Sequence, residues 1–192
     1  MNAFRFGLHF VYLTIAAALL VDIDRYVAFA DNYVILYFGL LGATHAVTLV
    51  LALREPQNLL RRGLFIVCTA FLSAGVFVVG WIVIAFAVHP TADLYIGISM
   101  GLTSAIGAAF YGTLVRKFWI ASLSIGQIAL IAATCGLATC SVLAADQYLV
   151  STGHWQMTVA WWFAFSLALF VVVQHGFRLR MGTSDPSSPG TV

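Results

Sequence analysis

The chain has 192 residues, of which 62% are hydrophobic and 8% charged, and its formal net charge is +2. A soluble domain carries roughly 25% charged residues, so this chain has too little polar surface to face water on all sides. Its Lys and Arg residues are scattered in ones and twos, which excludes a basic nucleic-acid-binding face.

In chain order, six apolar segments approach or exceed the roughly 20 residues that a helix needs to cross a bilayer. They run at about Phe4–Val21, Tyr33–Leu53, Gly63–Val88, Leu94–Val115, Phe118–Ala145 and Met157–Phe177. The expectation is an all-α integral membrane protein. Residues 1–180 would form a single six-transmembrane-helix bundle, and the Ser/Pro/Gly-rich residues 181–192 a disordered cytoplasmic tail. Pro56 follows the second segment and Pro90 stops the third, in which Gly75 and Gly80 are candidate bend points.

Charge orients the bundle. With the amino terminus in the cytoplasm, the inner segments hold Arg5, Arg54, Arg61, Arg62, Arg116, Lys117, Arg178 and Arg180 against only Glu55 and Asp185. The outer segments hold Arg25 against Asp22, Asp24, Asp31, Asp93 and Asp146. This bias predicts that both termini are cytoplasmic in a multi-pass protein of the plasma (inner) membrane. Trp155, Trp161 and Trp162 at the outer end of the sixth segment, and Trp119 at the inner end of the fifth, read as an interfacial aromatic belt. A second reading of the first segment is a signal peptide, with Arg5 as its basic region and Ala28-Phe29-Ala30 as the cleavage site. The crowding of Asp22, Asp24 and Arg25 before that site favours an uncleaved helix.

Polar residues inside apolar spans are the functional pointers in such a protein. His45 is the deepest ionisable group, and Thr48 shares its helix face. His45 could serve as a haem ligand, a gate or a proton relay, or be a neutral imidazole bonded between helices. A bis-histidine haem requires a second imidazole at similar depth, and His9 is a nearer candidate than His175. In the fifth segment Gln127, Thr134 and Ser141 fall on one stripe, which predicts a face turned into the bundle as a pathway lining or as interhelical hydrogen bonds. Asp22, Asp24, His89, Asp93, Asp146 and His154 gather toward the outer surface, where they would form an acidic vestibule; their spacing does not signal a metal site. Cys68, Cys135 and Cys140 lie in apolar stretches without C-x-x-C spacing and read as buried thiols. No cofactor is specified by these patterns.

The stretch Gly97-Ile98-Ser99-Met100-Gly101 resembles the G-x-S-G nucleophile motif of rhomboid intramembrane proteases, which also have a six-helix core. That resemblance implies a serine nucleophile at Ser99 and a histidine inside the sixth helix. Here Met100 interrupts the motif, and His154 and His175 only flank the sixth segment, so Ser99 has no base. Helical spacing instead puts Gly97, Gly101, Ser104, Ala105, Ala108 and Gly112 on one small-residue face, with Ser99 on the far side beside Ile106 and Phe110. This face predicts close contact with another helix, from the same chain or from a homo-oligomeric or other membrane partner.

The first functional expectation is a small-solute transporter or channel, or its membrane subunit. The size and inside-inside six-helix layout are similar to those of bacterial acetate/succinate transporters, although their amino-terminal Asn-Pro-Ala-Pro-Leu-Gly motif is missing. The alternatives are a non-catalytic subunit or assembly factor of a larger complex, and an intramembrane redox protein with b-type haem or an enzyme.

Overall fold

The computed structural model describes residues 3–27, 34–53, 58–87, 93–149 and 154–182. They form six helices: α1 (Ala3–Val27), α2 (Val34–Leu53), α3 (Leu59–Ala87), α4 (Asp93–Phe118), α5 (Ile125–Leu149) and α6 (His154–Gly182). Among the described residues, four helices contain a stretch long and apolar enough to cross a membrane, namely Ile35–Ala52, Leu59–Gly80, Gly97–Phe118 and Ile125–Val142. The other two, α1 and α6, carry the shorter apolar stretches Phe4–Leu19 and Val159–Gln174.

Each helix packs on its neighbours in chain order, and α1 closes against α6, so the six form a ring. Neighbours run antiparallel. On α2 and α3, Phe38 stacks on Phe77, at 3.7 Å between centroids. On α1 and α6, Phe6 stacks on Phe170 at 3.8 Å, and Phe10 lies 5.3 Å from Phe163.

The outward faces are apolar. On α1 the buried stripe is Phe6, His9, Leu13 and Ala17, while Val11, Ile15 and Leu19 are exposed. Phe71, Leu102 and Leu137 are likewise exposed on α3, α4 and α5. A water-solvated helix would show the opposite pattern, with polar residues outside; apolar side chains on every face are what hydrocarbon solvent requires.

The helix starts are set by capping. The Asn58 side chain accepts from the Leu60 amide at 3.1 Å at the head of α3. At the head of α5, the Ser124 amide donates to Gln127 Oε1 at 2.8 Å and the Gln127 amide donates to Ser124 Oγ at 3.2 Å. This reciprocal pair is a capping box, which satisfies two amides that a helix start otherwise leaves orphaned. It corrects two expectations. The fifth helix begins at Ile125 rather than near Phe118, because the cap fixes its first turn. Trp119 then sits in the α4–α5 connection, buried 5.6 Å from the Phe65 ring. At the other end of the chain, α6 continues to Gly182; residues 183–192 of the expected tail lie outside the described residues.

The small-residue face of α4 is filled by α5. A Cβ placed at Gly101 would collide with Cys140 Sγ and lie 3.1 Å from the Gly136 carbonyl oxygen. One placed at Gly136 would lie 2.9 Å from the Gly101 carbonyl. The two backbones therefore touch where neither residue has a side chain. Ala108 is fully buried on the same face, Ala105 is the side chain nearest Gly136, and Gly112 packs on Ile128. Ser104 Oγ bonds Thr139 Oγ1 at 2.8 Å, a contact worth on average about 0.6 kcal/mol between membrane helices. At Gly97 the contact is a hydrogen bond from Cys140 Sγ to its carbonyl, at 3.4 Å. This row, which the sequence leaves open to a partner, is thus used within the chain. Gly80 packs against Thr103 of α4.

Gly101→Leu is expected to overpack this contact and cost at least about 1–3 kcal/mol, read as a lowered midpoint of thermal unfolding in detergent. Ser99→Ala, on the far side of α4 from α5, is expected to stay within about 0.5 kcal/mol of wild type in the same assay.

Candidate functional site

At the centre of the ring four polar side chains from four helices meet: His9 (α1), His45 (α2), Tyr111 (α4) and Ser166 (α6). Each is at most 1% exposed. Tyr111 Oη and His45 Nδ1 share a hydrogen bond of 2.8 Å. His45 Nε2 lies 3.1 Å from Ser166 Oγ, and His9 Nε2 lies 2.8 Å from the same oxygen. The result is one continuous chain, Tyr111–His45–Ser166–His9. At its far end His9 Nδ1 is buried without a hydrogen-bond partner of good geometry, although the Thr48 backbone lies beside the ring.

Packing holds the chain in place. The rings of Tyr111, His9, Phe165, Trp161 and Trp162 all lie within 6.0 Å of the His45 ring. Trp161 is itself anchored by its indole N–H, which donates to the Ser104 carbonyl at 3.3 Å. The two tryptophans that sequence reading assigns to an interfacial belt are therefore packed inward against His45. Their apolar bodies fill the ring interior; the side chain of Trp155 lies outside the described residues.

A cavity of about 180 Å³ opens beside this cluster, between α2, α3 and α4, and reaches α5 and α6. Its walls are apolar and aromatic, with hydroxyls from Thr69, Ser73, Thr103, Ser104 and Thr139. His45 and Tyr111 line it; Ser166 and His9 stand behind them, out of its reach. Phe38, Phe77, Met100 and Thr103, toward the end of the bundle away from the amino terminus, are half-buried, whereas His45 and Tyr111 at the other end of the cavity are fully enclosed.

The expected α5 stripe is elsewhere. Gln127 serves the capping box, with a long 3.5 Å bond from its amide to the Val172 carbonyl. Thr134 returns its hydroxyl to the Leu130 carbonyl at 2.9 Å, and Ser141 is exposed. The buried face of α5 is instead Ile128, Ile131, Ala132, Cys135 and Thr139. The close approach at Gly136 decides which way the helix turns, and a threonine bonded to its own backbone can tolerate an apolar exterior. Thr48 adjoins His45 but bonds the His45 carbonyl at 2.8 Å. The side chains of Asp22, Asp24, Asp93, Asp146 and His154, and all of His89, lie outside the described residues. Among the described residues no group of three His, Cys, Asp or Glu side chains could hold a metal.

A haem between His9 and His45 does not fit this arrangement. Both Nε2 atoms are directed at the Ser166 hydroxyl, so a macrocycle between them would have to displace that oxygen and the α6 backbone that carries it. Ser166 lacks a route to the cavity, so it is equally unsuited to attack a substrate there.

Ser166 and Tyr111 are the members that sequence reasoning missed. Ser166 is the only hydroxyl between Thr158 and Gln174 on α6, an isolated polar residue in an apolar span, which is a usable signal.

Comparison with models of known families, with curated proteins and with solved structures finds no match for this chain.

Tyr111→Phe is expected to leave His45 Nδ1 buried and unpaired and to cost about 1–3 kcal/mol, measured by thermal unfolding in detergent. Thr134→Val, which removes only a hydroxyl bonded to its own helix, is expected to remain within about 0.5 kcal/mol of wild type.

Proposed function

We propose that the chain is a six-span protein of the plasma (inner) membrane, with both termini cytoplasmic, that binds a small solute in its central cavity and passes it as a transporter or channel. One observation carries this reading: an apolar-walled cavity ends on a buried, hydrogen-bonded His45–Tyr111 pair at the centre of the helical ring. Interior polar groups in a membrane bundle cost free energy and are characteristic of solute and ion pathways. The skew of Lys and Arg toward the segments on one side supports the orientation. In that orientation the half-buried lining residues lie toward the external side, and the cavity would admit its solute from there. The lining suits a small molecule with an apolar body and one hydrogen-bonding group, which would meet Tyr111 and His45.

Stopped-flow light scattering of proteoliposomes challenged with a panel of small neutral and anionic osmolytes tests this. At least one solute is expected to equilibrate faster than in protein-free vesicles. Met100→Trp, which fills the half-buried part of the cavity, is expected to return that rate to the protein-free value while the variant still elutes as a folded species. A panel in which no solute outpaces protein-free vesicles would overturn the proposal.

A further inference from the structure

We propose that Tyr111, His45, Ser166 and His9 form a proton-transfer chain that takes up a proton at His9 Nδ1 and delivers one from the Tyr111 hydroxyl to a hydrogen-bond acceptor in the cavity. The solute reading above enters only in what that acceptor is; water in the cavity serves equally.

The argument starts from a count of hydrogens. Ser166 has one hydroxyl hydrogen and two imidazole nitrogens within bonding distance, His9 Nε2 at 2.8 Å and His45 Nε2 at 3.1 Å. It can donate to only one of them, and when it does the other is an N–H that donates to it. With Ser166 donating to one of two neutral imidazoles, the histidines hold opposite tautomers. Two arrangements then satisfy every bond with Ser166 as both donor and acceptor. In the first, His9 Nε2–H donates to Ser166, Ser166 donates to His45 Nε2, and His45 Nδ1–H donates to Tyr111, whose own O–H is free to donate into the cavity. In the second, every one of these bonds is reversed: Tyr111 donates to His45 Nδ1, His45 Nε2–H donates to Ser166, Ser166 donates to His9 Nε2, and His9 Nδ1 carries a hydrogen.

Moving from the first arrangement to the second transfers one proton along the whole chain. The Tyr111 O–H bond breaks as its proton passes to the acceptor. Tyr111 takes the His45 Nδ1 proton, His45 Nε2 takes the Ser166 proton, Ser166 takes the His9 Nε2 proton, and His9 Nδ1 takes a proton from water. Bonds broken and formed balance, and one positive charge enters at His9 and leaves at Tyr111. Two features of the site fit these ends. Tyr111 and His45 line the cavity while Ser166 and His9 do not, so the chain leads away from the cavity toward α1. His9 Nδ1, at the far end, is buried beside the Thr48 backbone and is the one ring nitrogen of the pair without a hydrogen-bond partner of good geometry.

Two measurements test the chain. In nanodiscs, ¹⁵N-histidine NMR of the wild-type protein, assigned with His9→Gln and His45→Gln, is expected to give opposite tautomers for His9 and His45. Identical tautomers, or two doubly protonated rings, would overturn the proposal. In pyranine-loaded proteoliposomes, a potassium diffusion potential is expected to drive proton flux above that of protein-free vesicles. Ser166→Ala is expected to abolish that flux, while Thr134→Val, which removes a hydroxyl outside both the chain and the cavity, retains it. Wild-type flux no greater than in protein-free vesicles, or equal flux in Ser166→Ala and wild type, would overturn it. A protein that passes protons but none of the osmolytes loses the solute reading and keeps this one.

Discussion

The shared Ser166 hydroxyl is the interaction on which the centre of the molecule depends. Two imidazoles that bond one oxygen, with a tyrosine on the far nitrogen of one of them, tie α1, α2, α4 and α6 to a single point. In an apolar interior none of these groups has water to fall back on, so each bond is needed to offset the desolvation of both partners. The aromatic collar of Trp161, Trp162 and Phe165 around His45 excludes alternative partners and holds the ring at a fixed angle. Geometry of this kind is expensive to build and does not arise from apolar packing alone.

The helices outside this point associate by a different physics. Lipid tails are as apolar as leucine side chains, so burying a leucine gains little; close van der Waals contact and short hydroxyl bonds must do the work. The α4–α5 contact meets that need with Gly101 facing Gly136 and Ser104 facing Thr139. The large residues Phe71, Leu102 and Leu137 are left outside. Small residues mark this one contact, whereas the interior of the ring is filled by large side chains such as Tyr111, Trp162 and Phe165.

Much of the fold was legible in the sequence because the apolar runs are long and interrupted by prolines and charges. The small-residue row on α4 was legible for the same reason, since glycine and alanine at helical spacing have few other uses in a span. What failed was the rotation of α5. Gln127, Thr134 and Ser141 make a polar stripe, but polarity does not orient a helix whose hydroxyl can bond its own backbone. Closeness of approach orients it, and that depends on Gly136 meeting a particular glycine on another helix. The Ser124–Gln127 capping box was available to sequence reading as an S-x-x-Q pattern, yet an assumption that the apolar run starts the helix hid it. The polar centre was half legible: depth singled out His45 and made His9 the nearer second imidazole. The hub, Ser166, has a signal in its isolation as the one hydroxyl between Thr158 and Gln174, but the sequence does not say which side chains it joins.

The four members of the chain sit on four different helices, and none can satisfy its neighbour from within its own helix. Before the bundle closes, each span carries a polar side chain with no intended mate. The network is complete only when all four helices are docked: a chain whose α1 has not docked leaves the Ser166 hydroxyl short of its His9 contact. Such a chain carries an unpaired polar group in an apolar interior, so docking of the last helix is coupled to satisfying the hub. The residues of the proposed proton route are therefore also the ones that report whether the ring has closed.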